Sequence, residues 1–131
     1  MVIVDTSVWI EVFRRKSPLD LEQHVEFDEI VTCLPIIQEV LQGFRDESAF
    51  RKARSAMLSL PVVESPMTLE TFEAATGLYR AARRAGLTVR SSIDSQIAAC
   101  ALRHDLEVLH RDRDYGVLAK ISPLRQRTLR I

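Results

Sequence analysis

Apolar residues fall into two patterns along the chain, short continuous runs and stripes at helical spacing. Val2, Ile3 and Val4 make an uninterrupted β-branched run, the mark of a strand buried on both faces, and Asp5 ends it with a carboxylate. From Ser7 to Arg14, Val8, Trp9, Val12 and Phe13 recur with a helical period, and Asp5 or Thr6 stands where a cap belongs. "SPLDLEQHVEFDE" predicts a short polar-faced helix opened by Pro18, and "IVTC" a second short strand. Pro35 opens "PIIQEVLQGF", where Ile36, Ile37, Val40, Leu41 and Phe44 form one stripe and Gly43 lies near the end. A third helix is expected over "DESAFRKARSAML" and a strand over "PVV". A long helix is expected from Thr68 to Ala85, acidic in its first turns and stopped by Gly86. "SSIDSQIAACALRH" reads as a helix, "EVLH" as a strand, "RDYGVLAK" as a last short helix and "TLRI" as an edge strand. Strands separated by helices pair in parallel through right-handed crossovers. The expected fold class is therefore α/β, a central parallel sheet with helices on both faces.

With 131 residues the chain is expected to form one domain, 1–131, with a real core. The composition, 47% hydrophobic and 27% charged, is that of a soluble globular protein. No apolar run approaches the length of a membrane span, and the first residues lack a basic start and cleavage site, so the cytoplasm is the expected compartment. Cys33 and Cys100 are far apart in sequence among apolar neighbours and are read as small buried thiols. Net charge is zero but unevenly placed. Residues 1–79 hold 7 basic and 13 acidic side chains, and residues 80–131 hold 11 basic and 5 acidic. Of the 18 basic residues 15 are Arg, the side chain whose planar fork matches phosphate oxygens, although GC-rich codon usage would give the same excess.

Several acids lie where this fold gathers ligands, outside the carboxyl ends of strands. Asp5 ends the first strand, and an N-cap role for it is as good an account as a site role. Asp94 falls inside the stripe that Ile93, Ile97, Ala98 and Ala101 define on their helix. A first-turn Asp is favoured by the helix dipole, and Ser91 or Ser92 can cap, but neither explains why the acid faces inward. Glu39 flanks its own stripe and would suit a rim ion pair or a cleft. In "LHRDRDY", Asp112 and Asp114 follow a strand; one is expected to cap the next helix and the other to have no structural task. Arg111 and Arg113 would pair with these acids or face a phosphate backbone.

Crowded carboxylates repel by about 3 kcal/mol per pair at ~5 Å and an effective dielectric of about 20. No Lys or Arg stands at a strand end as an obvious internal counter-ion. The natural compensation is Mg²⁺, or Mn²⁺ in its place, hard cations that take carboxylate oxygen. Zinc is disfavoured, because His24, His104 and His110 show no ligand spacing and the cysteines are unpaired.

"VIVDTSVWI", "LPIIQEVLQG", "SSIDSQIAACAL" and "LHRDRDYGVLA" resemble, in order and spacing, the motifs of PIN-domain ribonucleases, most closely the VapC-type toxins of bacterial toxin–antitoxin pairs. The resemblance covers essentially the whole chain. It implies a PIN-like three-layer sandwich in which Asp5, Glu39, Asp94 and Asp112 form the acidic metal site and Asp114 supports it. It further implies that Thr6 or Ser7 positions a carboxylate or a water, and that Ser92 is the small hydroxyl two residues before the third acid. His110 stands where many relatives have Thr or Ser, and Tyr115 replaces a frequent Phe, a small change. The implied activity is Mg²⁺-dependent endonucleolytic cleavage of RNA, with arginines of the basic second half steering the backbone. The implied partners are RNA, a second copy in a homodimer and a VapB-like antitoxin.

Three other readings compete. A receiver-type phosphoacceptor domain needs an Asp after the third strand, where "PVVESP" offers only Glu64. A haloacid-dehalogenase-like phosphatase needs two acids at the first strand, and "DTSVW" has one. A PIN scaffold that binds RNA or protein without cutting is less favoured when all four acids are present.

Overall fold

The computed structural model describes residues 1–131. The strands are β1 (Val2–Val4), β2 (Ile30–Cys33), β3 (Val62–Val63), β4 (Glu107–His110) and β5 (Gln126–Thr128). The helices are α1 (Thr6–Val12), α2 (Leu34–Gln42), α3 (Glu47–Leu58), α4 (Leu69–Arg84), α5 (Ser92–Arg103) and α6 (Arg113–Lys120). All strand pairs are parallel, in the order β3-β2-β1-β4-β5. From β1 the chain steps outward to β2 and β3, then returns past β1 to β4 and β5. Right-handed crossovers put α1 to α3 on one face and α4 to α6 on the other, in keeping with the packing of α1 on α2, α2 on α3, α4 on α5 and α5 on α6. The direction reverses between β1 and β4, and there the carboxyl ends of two central strands open a crevice.

The helix starts follow from their caps. Asp5 accepts from Ser7 N at α1, Asp46 from Ala49 N at α3, Thr68 from Thr71 N at α4, Ser91 from Ile93 N at α5 and Asp112 from Asp114 N at α6. Gly86, at φ +75°, ends the α4 region in the left-handed conformation that glycine adopts without a Cβ penalty. Val2, Ile3 and Val4 are buried, as are Ile97, Ala98, Cys100 and Ala101 of α5, so both faces of the sheet are covered by one core.

The structure differs from the sequence expectation in two elements. The helix expected over "SPLDLEQHVEFDE" is two 3₁₀ turns, Leu21–Gln23 and Phe27–Glu29. Only Leu21 and Val25 of that stretch are buried, too little apolar surface to support a continuous helix. The edge strand lies over Gln126–Thr128 rather than "TLRI", because Leu129 already turns its side chain into the core after its N–H bonds His110 O at 2.7 Å. No helix is long and apolar enough to cross a membrane. Cys33 and Cys100 are both buried and free, and the neighbouring Cys100 side chain and burial push the Cys33 thiol up.

Candidate active site

At the β1 end, Asp5 is 2% exposed and both of its oxygens are engaged. Oδ2 accepts from Ser7 N at 3.0 Å and Ser7 Oγ at 2.6 Å, while Oδ1 accepts from the Tyr115 hydroxyl at 2.6 Å. Asp5 is thus both the cap of α1 and a wall of the crevice. Ser7 Oγ also accepts from Arg111 N at 2.9 Å, which ties the loop carrying Asp112 to α1. Thr6 donates to Glu39 Oε1 at 2.8 Å. Thr6 and Ser7 therefore each orient a different acid, where the sequence suggested one or the other. Burial raises Glu39 above the ordinary carboxyl range against the Thr6 bond, and the charges of Asp5 and Asp112 raise it further.

The opposite wall comes from α5 and α6. One carboxylate oxygen each of Asp94, Asp112 and Asp114 lies within 4.8 Å of the others. Asp94 faces inward as its stripe predicts. Burial pushes it up to about 9, followed by its contact with Asp114 and the charges of Asp5 and Asp112. Asp112 caps α6, so one of the two acids in "RDRD" has the expected role. Asp114, however, does have a structural task, contrary to expectation: its Oδ2 accepts from Arg90 N and Ser91 N, both at 3.0 Å, fixing the turn that starts α5. It stands in the inner group of three acids, whereas Asp5 and Glu39 lie outside that group.

Arg90 corrects a second expectation. Its guanidinium lies 3.5 Å from Asp112 and 3.7 Å from Asp114, so a counter-ion does stand at the strand ends. Its side chain is 54% exposed, which makes this a screened rim cation rather than a buried partner. Arg111 pairs with Glu11 at 3.2 Å instead of with the acids, and Arg113 is exposed beside Asp112 in an open groove that includes Lys120. Ser92 is exposed and Ser91 is the cap, so no Ser92 bond to an acid accompanies its position.

The residue that sequence reasoning undervalued is Tyr115. It is fully buried, its hydroxyl donates to Asp5 and lies 3.4 Å from Asp94 Oδ1, and it stands between the two walls. A Phe would fill the same space without joining them. His110 braces the neighbouring acid: Nδ1 accepts from Asp112 N at 3.1 Å, and Nε2 meets Gln126 Oε1 at 2.6 Å. That network assigns the ring hydrogen to Nε2. Its ring packs on Tyr115 at 4.9 Å between centroids. Glu64, the acid a receiver domain would have needed, accepts from Thr68 N and pairs with His104, a structural role away from the cluster.

The donors fit a hard divalent cation. Asp94 Oδ2 and Asp114 Oδ1 are buried without a hydrogen-bond partner, the donor set is all oxygen, and no Lys or Arg is buried beside them. Unpaired, such oxygens carry a desolvation cost of about 1–3 kcal/mol each, more when charged.

A parallel sheet in this order, with acids from several elements gathered at its switch point, defines a class of α/β proteins with an acidic, metal-compatible crevice. The family model described as "PIN domain" matches residues 2–121, and the chain belongs to the PIN-domain family. Among curated proteins it is 38% identical over 135 residues to VapC ribonuclease Mb1587 of Mycobacterium bovis, covering 99% of this chain and 100% of that protein. Ribonuclease VapC11 of Mycobacterium tuberculosis matches to the same extent. Among solved structures, VapBC2 from Rickettsia felis bound to a promoter DNA fragment aligns with a TM-score of 0.76 at 14% identity, over 99% of this chain and 100% of that one. VapBC-5 from Mycobacterium tuberculosis aligns with a TM-score of 0.68 at 20% identity, over 99% and 98%. These two likenesses establish the shared fold.

Proposed function

We propose that this chain, as a single domain over residues 1–131, is a Mg²⁺-dependent endoribonuclease and the toxin of a toxin–antitoxin pair. The observation that carries the reading is the cluster of Asp94, Asp112 and Asp114, in which buried oxygens of Asp94 and Asp114 lack a hydrogen-bond partner, set with Asp5 and Glu39 at the sheet's switch point. The full-length relatives named as ribonucleases support the reaction, and the VapBC complexes support a VapB-like antitoxin as partner.

Asp94, Asp112 and Asp114 would hold the ion, with Asp5 completing the anionic wall; Mn²⁺ would substitute. When bound, such a cation supplies Lewis-acid stabilisation of charge developing on the phosphoryl oxygens and makes water a better nucleophile. The protein's own groups do the rest. Asp5, gripped by Ser7 and Tyr115, and Asp112, braced by His110, keep the anionic surface fixed while substrate enters. Glu39, aligned by Thr6 at Oε1, has its second oxygen free to take a proton from the attacking water. Arg113 and, once released from Glu11, Arg111 attract the phosphate backbone without choosing sequence. The active assembly is a homodimer.

The test is cleavage of single-stranded RNA by purified protein with Mg²⁺, with EDTA, and with Asp94→Asn. Products that appear only with Mg²⁺ and the intact acid support the reading. Equal cleavage in EDTA, or none under any condition, removes it, the latter in favour of a scaffold that binds without cutting.

A further inference from the structure

Between them, α4 and α5 leave a groove of about 220 Å³, lined by Phe72, Tyr79 and Arg80 from one helix and Ser92, Ser95 and Gln96 from the other. The acid crevice makes no use of these residues. Ser92 and Ser95 flank Asp94 in sequence and lie about 160° and 100° around α5 from it, so the groove occupies another face of the helix that carries Asp94. Phe72 is 45% exposed, a large ring left in water on a helix whose buried positions are Thr71, Ala75 and Ala82. The Tyr79 ring already carries the Arg83 guanidinium 5.2 Å from its centroid. Ser95 is 1% exposed, and its hydroxyl has no hydrogen-bond partner, so the chain leaves unmet a buried polar group on the groove's lining.

Exposed aromatic rings, arginines and a few amide and hydroxyl groups are the means by which proteins hold unstacked bases: the rings stack, the polar groups meet the base edge, and the guanidinium meets phosphate. Resting on the ribonuclease reading above, we infer that the α4–α5 groove is a nucleobase subsite for the single strand being cut. A base next to the cut bond lies against Phe72 and Tyr79, Gln96 and Ser95 pair with its polar edge, and Arg80 meets a flanking phosphate. A second copy of the chain is the rival occupant. Charge disfavours it, because Arg80, Arg83 and Arg84 have no ion-pair partner and would be brought together with their own images.

The test uses the full chain with Mg²⁺ and a set of single-stranded RNAs that differ in one base beside the cut bond. kcat/KM is measured for each with the unmodified protein and with Gln96→Ala, Tyr79→Leu and Ser95→Ala, alongside melting temperature and sedimentation. The unmodified protein should prefer one base over the worst by roughly tenfold, and Gln96→Ala should shrink that ratio to about twofold. Tyr79→Leu should lower kcat/KM for every base by roughly tenfold, the loss expected of a stacking platform. Ser95→Ala should melt no lower than the unmodified protein while blunting the preference, a pair of results that a merely structural serine would not give. Normal cleavage with a base preference that survives all three substitutions overturns the subsite and leaves the nuclease standing. Altered sedimentation with the preference intact also overturns it, assigning the groove to a second copy. No cleavage by the unmodified protein removes both readings.

Discussion

On the flank built by α1 and α2, the acids are held by the chain itself. Both oxygens of Asp5 and one of Glu39 accept hydrogen bonds from Ser7, Tyr115 or Thr6. On the flank built by α5 and α6, Asp94 and Asp114 each keep a buried oxygen with no hydrogen-bond partner, and Asp94 is pushed up to about 9. The contrast teaches how one site combines rigidity with appetite for a cation. The first flank is stable as folded and sets the geometry. The second crowds carboxyls that a proton on Asp94 or a divalent cation can relieve, with the exposed Arg90 as a weak counter-ion.

Asp94→Asn should break the contrast most severely. RNA cleavage should fall by roughly 10²–10⁴-fold, the usual scale for loss of a group that acts on the transition state. The same variant, freed of one crowded acid, should melt higher than the parent in EDTA, and a lower melting point would count against the repulsion argument. Next in size is the response to metal. Mg²⁺ or Mn²⁺ at about a hundred times its Kd should stabilise the protein by about 2.7 kcal/mol, read as a rise in Tm that Asp94→Asn abolishes. No shift at saturating metal would mean that the acids do not share an ion.

Tyr115→Phe removes the one donor to Asp5 Oδ1 and should cost about 1–3 kcal/mol in denaturant melts. An unchanged midpoint would show that the hydroxyl does not connect the flanks. The pH dependence separates the flanks further. Asp94 moves from an ordinary 3.8 in the unfolded chain to about 9 when folded, so folding takes up a proton between these values and the metal-free protein loses stability as pH rises across that window. Glu64 works in the opposite sense: lowered from 4.5 to about 2, chiefly by the Thr68 N–H and then by His104, it adds stability above 4.5 that is lost as pH falls toward 2. Urea midpoints in EDTA from pH 5 to 9, for the parent and Asp94→Asn, should differ in slope. Ser7→Ala gives the smallest effect, about 1 kcal/mol, since Asp5 keeps the Ser7 N–H and the Tyr115 hydroxyl and the Arg111 N–H that it frees is exposed to water.

The alternation of strands and helices was legible because β1, β4 and the stripes of α2, α4 and α5 are strongly patterned, and their caps sit where the side chains require. The segment around Leu21 and Val25 was misread because two buried apolar residues leave tertiary contacts, not local periodicity, to decide the conformation. In the crevice, Asp5, Asp94 and the pair Asp112 and Asp114 stood out as candidates because each breaks an apolar pattern or follows a strand, whereas Glu39 and the choice of Asp112 over Asp114 rested on the family resemblance. Arg90, Tyr115 and His110 could not be read in the same way. Arg90 lies in a loop whose reach depends on where α6 packs, and Tyr115 looks like any core aromatic until its hydroxyl is placed beside Asp5. His110 reads as a strand residue; its bond to Gln126 depends on the register of β5, which the sequence placed two residues late.

The Tyr115–Asp5 bond joins positions 110 apart, and Arg111 meets Ser7 across 104. Asp5 is synthesised well before α6, and it finds its partner only when α6 has emerged. A growing polypeptide therefore cannot join the two walls of the crevice until α6 has left the ribosome.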